Sequence, residues 1–236
     1  MTAGAASATD AVGGTWIKVC GHRELASAEA AARSGADAVG FVFAASPRRV
    51  EPGTARGIIG SLPRGLAKIG VFVNEEVDRL LATAAECGLT GVQLHGGEGW
   101  DYVKAVRDAA DRQGLRLQII VALRADAAGR GAMGRGAAPA PGCQVDAFLL
   151  DAYHPALAGG TGRSFNWAVF PPPGAWGRPV YLAGGLTPGN VGEALRATRA
   201  AGVDVSSGVE TDGCKDPAKI RAFCEAVREW EREVSR

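Results

Sequence analysis

The sequence predicts an α/β fold, a single-domain (β/α)8 or TIM barrel, on three observations. Short β-branched runs alternate with longer alanine-rich helical runs along the chain, the pattern of parallel strands joined by crossover helices. The strand-like runs number eight. The last two each lead through small, flexible residues into a helix: Val180-Tyr181-Leu182 into Ala183-Gly184-Gly185-Leu186-Thr187-Pro188, and Val203-Asp204-Val205 into Ser206-Ser207-Gly208-Val209-Glu210. Glycine lets the backbone approach a ligand closely, and bare N–H groups at a helix start favour an anion. Two such turns after strands 7 and 8 form the usual phosphate grip of this barrel, so the chain is expected to handle a small phosphorylated molecule. An open doubly wound sheet, the alternative architecture, would carry its glycine fingerprint after the first strand instead.

The elements follow in order. Residues 1–14 are small and polar, without the basic start and apolar stretch of a signal peptide, and read as a disordered lead-in to a catalytic barrel over 15–236. Strands are expected at Trp16–Val19, Ala38–Phe43, Lys68–Val73, Gly91–Leu94, Leu115–Val121, Ala147–Leu150, Val180–Leu182 and Val203–Val205, each a short apolar run. Helices are expected at Leu25–Ser34, Pro52–Leu62, Glu75–Cys87, Gly99–Gln113, Asn190–Ala200 and Pro217–Arg232, with a short one near Asn166–Phe170. Gly35 and Gly88 stand where helices should stop. Thr187-Pro188 and Asp216-Pro217 both read as an N-cap followed by proline at the first helical position. The stretch 124–144 is crowded with Gly, Ala and Pro and lacks apolar periodicity. It predicts an irregular, mobile surface connection between strands 5 and 6, where a helix would ordinarily lie.

The 236 residues suit one such barrel, typically about 250 residues. A net charge of +1 with 22% charged residues suggests neither a nucleic-acid nor a membrane surface, and no apolar run reaches the roughly 18 residues of a membrane span. Cys20, Cys87, Cys143, Cys214 and Cys224 include no CxxC pair, which fits a reducing cytoplasm better than a disulfide or zinc framework. His22 and His154 have no spaced metal partner.

In a parallel barrel the active site gathers at the C-terminal ends of the strands. Cys20 ends strand 1, Arg48 follows strand 2, His95 ends strand 4, Asp151 ends strand 6 and Asp204 lies in strand 8. Singly, most have ordinary readings: a buried small hydrophobe, a solvated arginine, a structural histidine or a capping aspartate. Asp151 is harder to dismiss. It directly follows Phe148-Leu149-Leu150, and a carboxylate is costly to bury, so it should sit at the mouth and have a task. Gly159-Gly160-Thr161-Gly162 lacks the lysine and spacing of a nucleotide phosphate loop and reads as a lid or a backbone contact.

At this point the motifs resemble one family. Lys-Val-Cys-Gly at 18–21, Gly-Ala-Asp-Ala-Val-Gly-Phe-Val-Phe at 35–43, Ser-Pro-Arg at 46–48, Val-Phe-Val-Asn at 71–74 and Val-Gln-Leu-His-Gly at 92–96 are similar to phosphoribosylanthranilate isomerase of tryptophan biosynthesis. So are Leu-Leu-Asp-Ala at 149–152, Gly-Gly-Thr-Gly at 159–162, Leu-Ala-Gly-Gly-Leu-Thr-Pro at 182–188 and Asp-Val-Ser-Ser-Gly-Val-Glu at 204–210. The resemblance implies an Amadori rearrangement of N-(5-phosphoribosyl)anthranilate to 1-(2-carboxyphenylamino)-1-deoxyribulose 5-phosphate, with no cofactor and no metal. Carried over by motif, Asp151 would be the general acid and Cys20 the general base, and Arg48, His95 and Asp204 would bind substrate. Gly184, Gly185, Ser207 and Gly208 would hold its phosphate, in a monomer or homodimer.

A thiol with a pKa near about 8.5 needs local activation to serve as a base. Lys18 shares a strand face with Cys20 and is a candidate helper. Asp151 must hold a proton before donating it, so burial is expected to raise its pKa. Three departures from the family pattern are His22-Arg23 beside the base, Arg49 beside Arg48, and the long 124–144 stretch. Two alternatives remain: a related isomerase of another aminated ribose phosphate, or a non-catalytic barrel that only binds phosphorylated ligands. The first resembles the histidine-pathway isomerase, whose paired aspartates on strands 1 and 5 contrast with Cys20 here.

Overall fold

The computed structural model describes residues 14–125, 131–132, 144–151, 167 and 170–235. Eight parallel strands close on themselves: β1 Trp16–Cys20, β2 Ala38–Val42, β3 Ala67–Phe72, β4 Gly91–Leu94, β5 Gln118–Ala125, β6 Ala147–Asp151, β7 Val180–Ala183 and β8 Gly202–Val205. Each pairs with its neighbours in sequence, β8 pairs with β1, and β4 pairs with β5, which completes the ring. Helices α1 Leu25–Arg33, α2 Pro52–Gly60, α3 Val77–Cys87, α4 Trp100–Arg112, α5 Val191–Thr198 and α6 Pro217–Val234 accompany them.

Both strand faces are buried, which is why the strands read as near-continuous apolar runs. Alternate residues such as Ile17, Val19, Val39 and Phe41 face outward into one core shared with the helices, where Ala28, Ala31, Ile220 and Phe223 meet them. The other face turns into the barrel, whose interior holds Ala38, Ile69, Ile120, Ala147, Leu149 and Tyr181, with Trp16 packed against them. Arg228 on α6 fastens the two chain ends, donating to the carbonyls of Thr15 and Gly35 and pairing with Asp37 at 3.2 Å. Among the described residues no helix is long and apolar enough to cross a membrane.

Several expectations shift. Strand 5 runs from Gln118 to Ala125 rather than from Leu115 to Val121. Leu115 is spent on ending α4: its N–H donates to Ala110 O after Gly114 turns the chain at φ 69°. The apolar character at 115–117 thus belongs to packing beneath a helix, not to the ladder. β5 continues into the stretch expected to be irregular, and Gly131–Ala132 pairs antiparallel with Arg124–Ala125. The rest of that stretch, the 1–13 segment, Cys143, His154, the 159–162 glycines and most of the short helix expected near Asn166–Phe170 lie outside the described residues.

The two proline caps also part company. Asp216 caps α6 as expected, its carboxylate accepting from Ala218 N–H at 2.9 Å and Lys219 N–H at 3.3 Å. Thr187-Pro188 does not begin α5. That helix starts at Val191 after Asn190, whose side chain instead ties the preceding turn, accepting from Thr187 N–H at 2.7 Å and donating to Gly185 O at 3.0 Å. Gly88 ends α3 in the left-handed conformation at φ 70°, where a side chain would be strained.

Candidate active site

Inward alternation on β1 brings Trp16, Lys18 and Cys20 to one side of the strand, so the barrel turns polar two residues above its apolar floor. Lys18 is fully buried. Its ammonium donates to both oxygens of Asp204 on β8 at 3.0 Å and to Gln93 Oε1 on β4 at 2.9 Å. Burial alone would lower the Lys18 pKa, but the Asp204 carboxylate and the Cys20 thiol beside it outweigh that and hold it above its ordinary value. A buried ammonium with three acceptors is charged, and Asp204 is its carboxylate.

Gln93 continues the line. Its Nε2 lies 2.8 Å from His95 Nδ1, and His95 Nε2 lies 3.4 Å from Asp151 Oδ2 at the end of β6. His95 and Asp151 keep 23% and 22% of their side chains exposed, so both open onto the mouth, as a strand-ending carboxylate should. The expected residues Cys20, His95, Asp151 and Asp204 therefore meet at one end of the barrel, joined through Lys18 and Gln93. Burial pushes the Asp204 carboxyl above its ordinary value, and the Lys18 ammonium pulls it back by charge and hydrogen bonding.

Cys20 is 7% exposed, and burial pushes its thiol above the usual range. Lys18 pulls in the opposite direction by charge and hydrogen bonding, and Lys215 adds to it. The helper role expected of Lys18 has the right sign, but in this state the thiol form prevails. Room for the sulfur comes from Gly40 on β2: a Cβ there would stand 2.6 Å from Cys20 Sγ.

Beside Cys20 lies a second charged cluster. Arg48 is held by a two-pronged bond to Glu210, Nε to Oε1 at 2.7 Å and Nη2 to Oε2 at 2.6 Å. Lys215 also donates to Glu210 Oε1 at 2.6 Å and to Ser206 O at 2.9 Å, while Ser206 Oγ donates to Cys20 O at 3.0 Å. Burial would raise the Glu210 pKa, but Arg48 and Lys215 overwhelm that and hold it at about 2. Arg48 runs across Gly21, whose φ of 88° and 2.7 Å spacing from a would-be Cβ to Arg48 Cδ admit only glycine.

The two glycine turns are in direct contact. Gly184 and Gly185 have φ of 91° and 66°, and a single helical turn, Ser207–Val209, follows β8. A Cβ at Gly208 would be driven into the carbonyl oxygen of Leu186, so glycine there lets the turns close on each other. All four expected phosphate residues thus belong to one composite loop beside Cys20.

Two departures from the family pattern leave the mouth alone. His22 is fully buried and turns toward α1 and Phe41, its Nδ1 2.9 Å from Ser27 Oγ and its Nε2 without a hydrogen-bond partner among the described residues; burial drives its pKa to about 3. Arg23, next to it, donates outward to the carbonyls of Pro47 and Gly213. Arg49 points away from Arg48 to pair with Glu51 at 3.1 Å. Gln93, Gly40, Glu210 and Lys215 were not singled out from the sequence. Gln93 is two residues from His95 and shares its face, which was the available signal; the others depend on partners far along the chain.

Among the described residues no three of His, Cys, Asp and Glu gather as a metal would require, and Cys20, Cys87, Cys214 and Cys224 are free thiols. The fold and site together define a (β/α)8 barrel enzyme whose mouth sets two touching glycine turns beside a thiol and a carboxyl. The comparisons are more specific. Residues 17–226 match the family model for N-(5'-phosphoribosyl)anthranilate isomerase. The N-(5'-phosphoribosyl)anthranilate isomerase of Desulforudis audaxviator is 44% identical over 215 residues, covering 91% of this chain and 98% of that one. The crystal structure of phosphoribosyl anthranilate isomerase from Thermotoga maritima superposes with a TM-score of 0.75 at 34% identity, covering 91% of this chain and 99% of its own. Another, in complex with reduced 1-(o-carboxyphenylamino)-1-deoxyribulose 5-phosphate, gives 0.72 at 32% identity with the same coverage. The chain belongs to the N-(5'-phosphoribosyl)anthranilate isomerase family of tryptophan biosynthesis.

Proposed function

We propose that this chain converts N-(5'-phosphoribosyl)anthranilate to 1-(2-carboxyphenylamino)-1-deoxyribulose 5-phosphate with Asp151 as general acid and Cys20 as general base. Asp151 gives its proton to the ribose ring oxygen, the C1–O bond breaks, and the anthranilate nitrogen takes up the positive charge as a protonated Schiff base. Cys20, as thiolate, removes the proton at C2; the electrons move toward nitrogen to give an enolamine, which tautomerises to the ketone. The observation that carries this reading is the convergence on one mouth of a thiol and a carboxyl from strands three apart around the ring, tied to the same Lys18-centred network.

Substrate charge completes the chemistry. A phosphate dianion entering the loop of Gly184, Gly185, Ser207 and Gly208 meets backbone N–H groups, and the buried Lys18 and Lys215 both favour the thiolate of Cys20. Arg48 and Asp204 then face the anthranilate part, and His95 the carboxyl of Asp151. Cytoplasmic, monomeric or homodimeric action completes the reading, and light scattering on the purified protein decides between the two assembly states.

The test follows the fluorescence of freshly generated phosphoribosylanthranilate. Wild type should consume it rapidly, while Cys20→Ala and Asp151→Asn each lose on the order of 10²–10⁴ in kcat with an unchanged Tm. No turnover by folded wild type would discard the reaction; full activity in either variant would discard that residue's role.

A further inference from the structure

We propose that Gln93 is a positioning residue that decides which nitrogen of His95 carries the ring proton, so that an N–H and not a lone pair meets Asp151. The proposal rests on the reading of Asp151 as the acid. It begins at Lys18, whose ammonium has three donors and no acceptor. Lys18 is fully buried and touches Gln93 at 2.9 Å, so the atom of Gln93 that faces it has to be the amide oxygen. The amide nitrogen then has to face the other way, where it lies 2.8 Å from His95 Nδ1.

An amide nitrogen only donates, so Nδ1 accepts, and the proton of the neutral ring sits on Nε2. That nitrogen is 3.4 Å from Asp151 Oδ2. The opposite tautomer would set two N–H groups against each other beside a residue that is 1% exposed, leaving a buried donor unmet. The donor and acceptor order from Lys18 through Gln93 to His95 is thereby set by the Lys18–Asp204 ion pair at its far end, where reversal is impossible, and it leaves Nε2–H on the side of Asp151 as an electrostatic contact rather than a hydrogen bond.

The consequence is chemical. The Nε2–H so placed turns its positive end toward the Asp151 carboxyl, 3.4 Å away at Oδ2. Once the Asp151 proton has passed to the ribose ring oxygen, the new carboxylate faces an N–H at Oδ2 and is stabilised; a bare Nε2 in the same place would repel it. Gln93 therefore acts on the step in which charge develops on Asp151, through His95 and without touching the substrate.

The test uses the full-length protein with 15N-labelled histidine, His95 being assigned by the signal that His95→Asn removes. The wild type should show a bare Nδ1 and a protonated Nε2. Gln93→Glu keeps the size and still accepts from Lys18, but it must also accept from the ring, so the proton should move to Nδ1. Its kcat should fall about 10- to 100-fold with KM little changed. Gln93→Met should lose the tautomer preference and fall similarly. A protonated Nδ1 in wild type overturns the proposal without any variant having to fold, and so does a Gln93→Glu enzyme whose tautomer flips while kcat stays. Failure of the reaction assignment would appear separately, as a wild type with the expected spectrum and no turnover.

Discussion

The two ends of the barrel interior are made by the same strands and have opposite character. At the N-terminal end Trp16 stacks on Tyr181 with ring centroids 4.3 Å apart, above a plug of Ile69, Ile120 and Leu149. Two residues further along β1 and β8, the same inward positions hold Lys18 and Asp204, and beyond them Cys20. One strand therefore passes from floor to reactive rim within five residues. The lesson concerns division of labour. The floor owes its stability to burial and gives the rim a rigid base, while the rim carries buried charge that a purely structural core would avoid.

That contrast can be broken from either side. The largest effect on stability should come from the rim. Lys18→Met leaves the Asp204 carboxylate buried without its cation, and a broken buried pair typically costs about 3–5 kcal/mol. Urea unfolding with the slope unchanged would measure it. A loss below about 1 kcal/mol would mean that Asp204 finds other partners or takes up a proton. The floor should behave differently: Ile120→Ala, at a fully buried position, should cost about 2–5 kcal/mol by removing packed methyl groups yet leave kcat nearly unaltered. A large fall in kcat there, with the fold intact, would show that the two ends are not separable.

The effect that is smallest at neutral pH, and grows only in acid, sharpens the comparison with a charge-bearing group outside the barrel. His22 is buried neutral behind β1, with a pKa lowered to about 3 from an ordinary 6.5. The unfolded chain binds its proton more readily, so this group subtracts stability as pH falls below about 6.5, and its contribution levels off below about 3. The slope is at most about 1.4 kcal/mol per pH unit. His22→Leu should flatten the acid side of the stability curve between those limits while the kcat profile keeps its shape. Glu210 moves in the same direction at lower pH, since its depressed pKa of about 2 supports the fold above roughly 4.5 and is lost as pH falls through about 2. A His22→Leu curve identical to wild type would mean that the ring gains a proton-accepting partner on acidification.

Much of this was readable in advance, for local reasons. Cys20, His95, Asp151 and Asp204 could be picked out because a parallel barrel sends every strand end to one mouth, and strand ends show in the sequence as apolar runs that stop at a reactive group. Lys18 could be assigned to the face of Cys20 because side chains alternate. Strand 5 was misjudged because Leu115 and Leu117 are apolar for a different reason, packing beneath α4. Thr187-Pro188 had the composition of a cap, but Asn190 competed for the same turn and took it.

What the sequence alone determined is thus the repeating strand–helix order, the closed parallel barrel it implies, and the reactive groups that top its strands, since each depends on neighbours a few residues away. The tertiary structure decided the pairings: Lys18 with Asp204, Arg48 with Glu210, Gly40 under Cys20 and Gly208 under Leu186. It also decided the hydrogen-bond polarity that runs through Gln93 to His95. Most of these partners stand far apart in the chain, and a donor's choice among distant acceptors depends on distances that exist only once the barrel has closed.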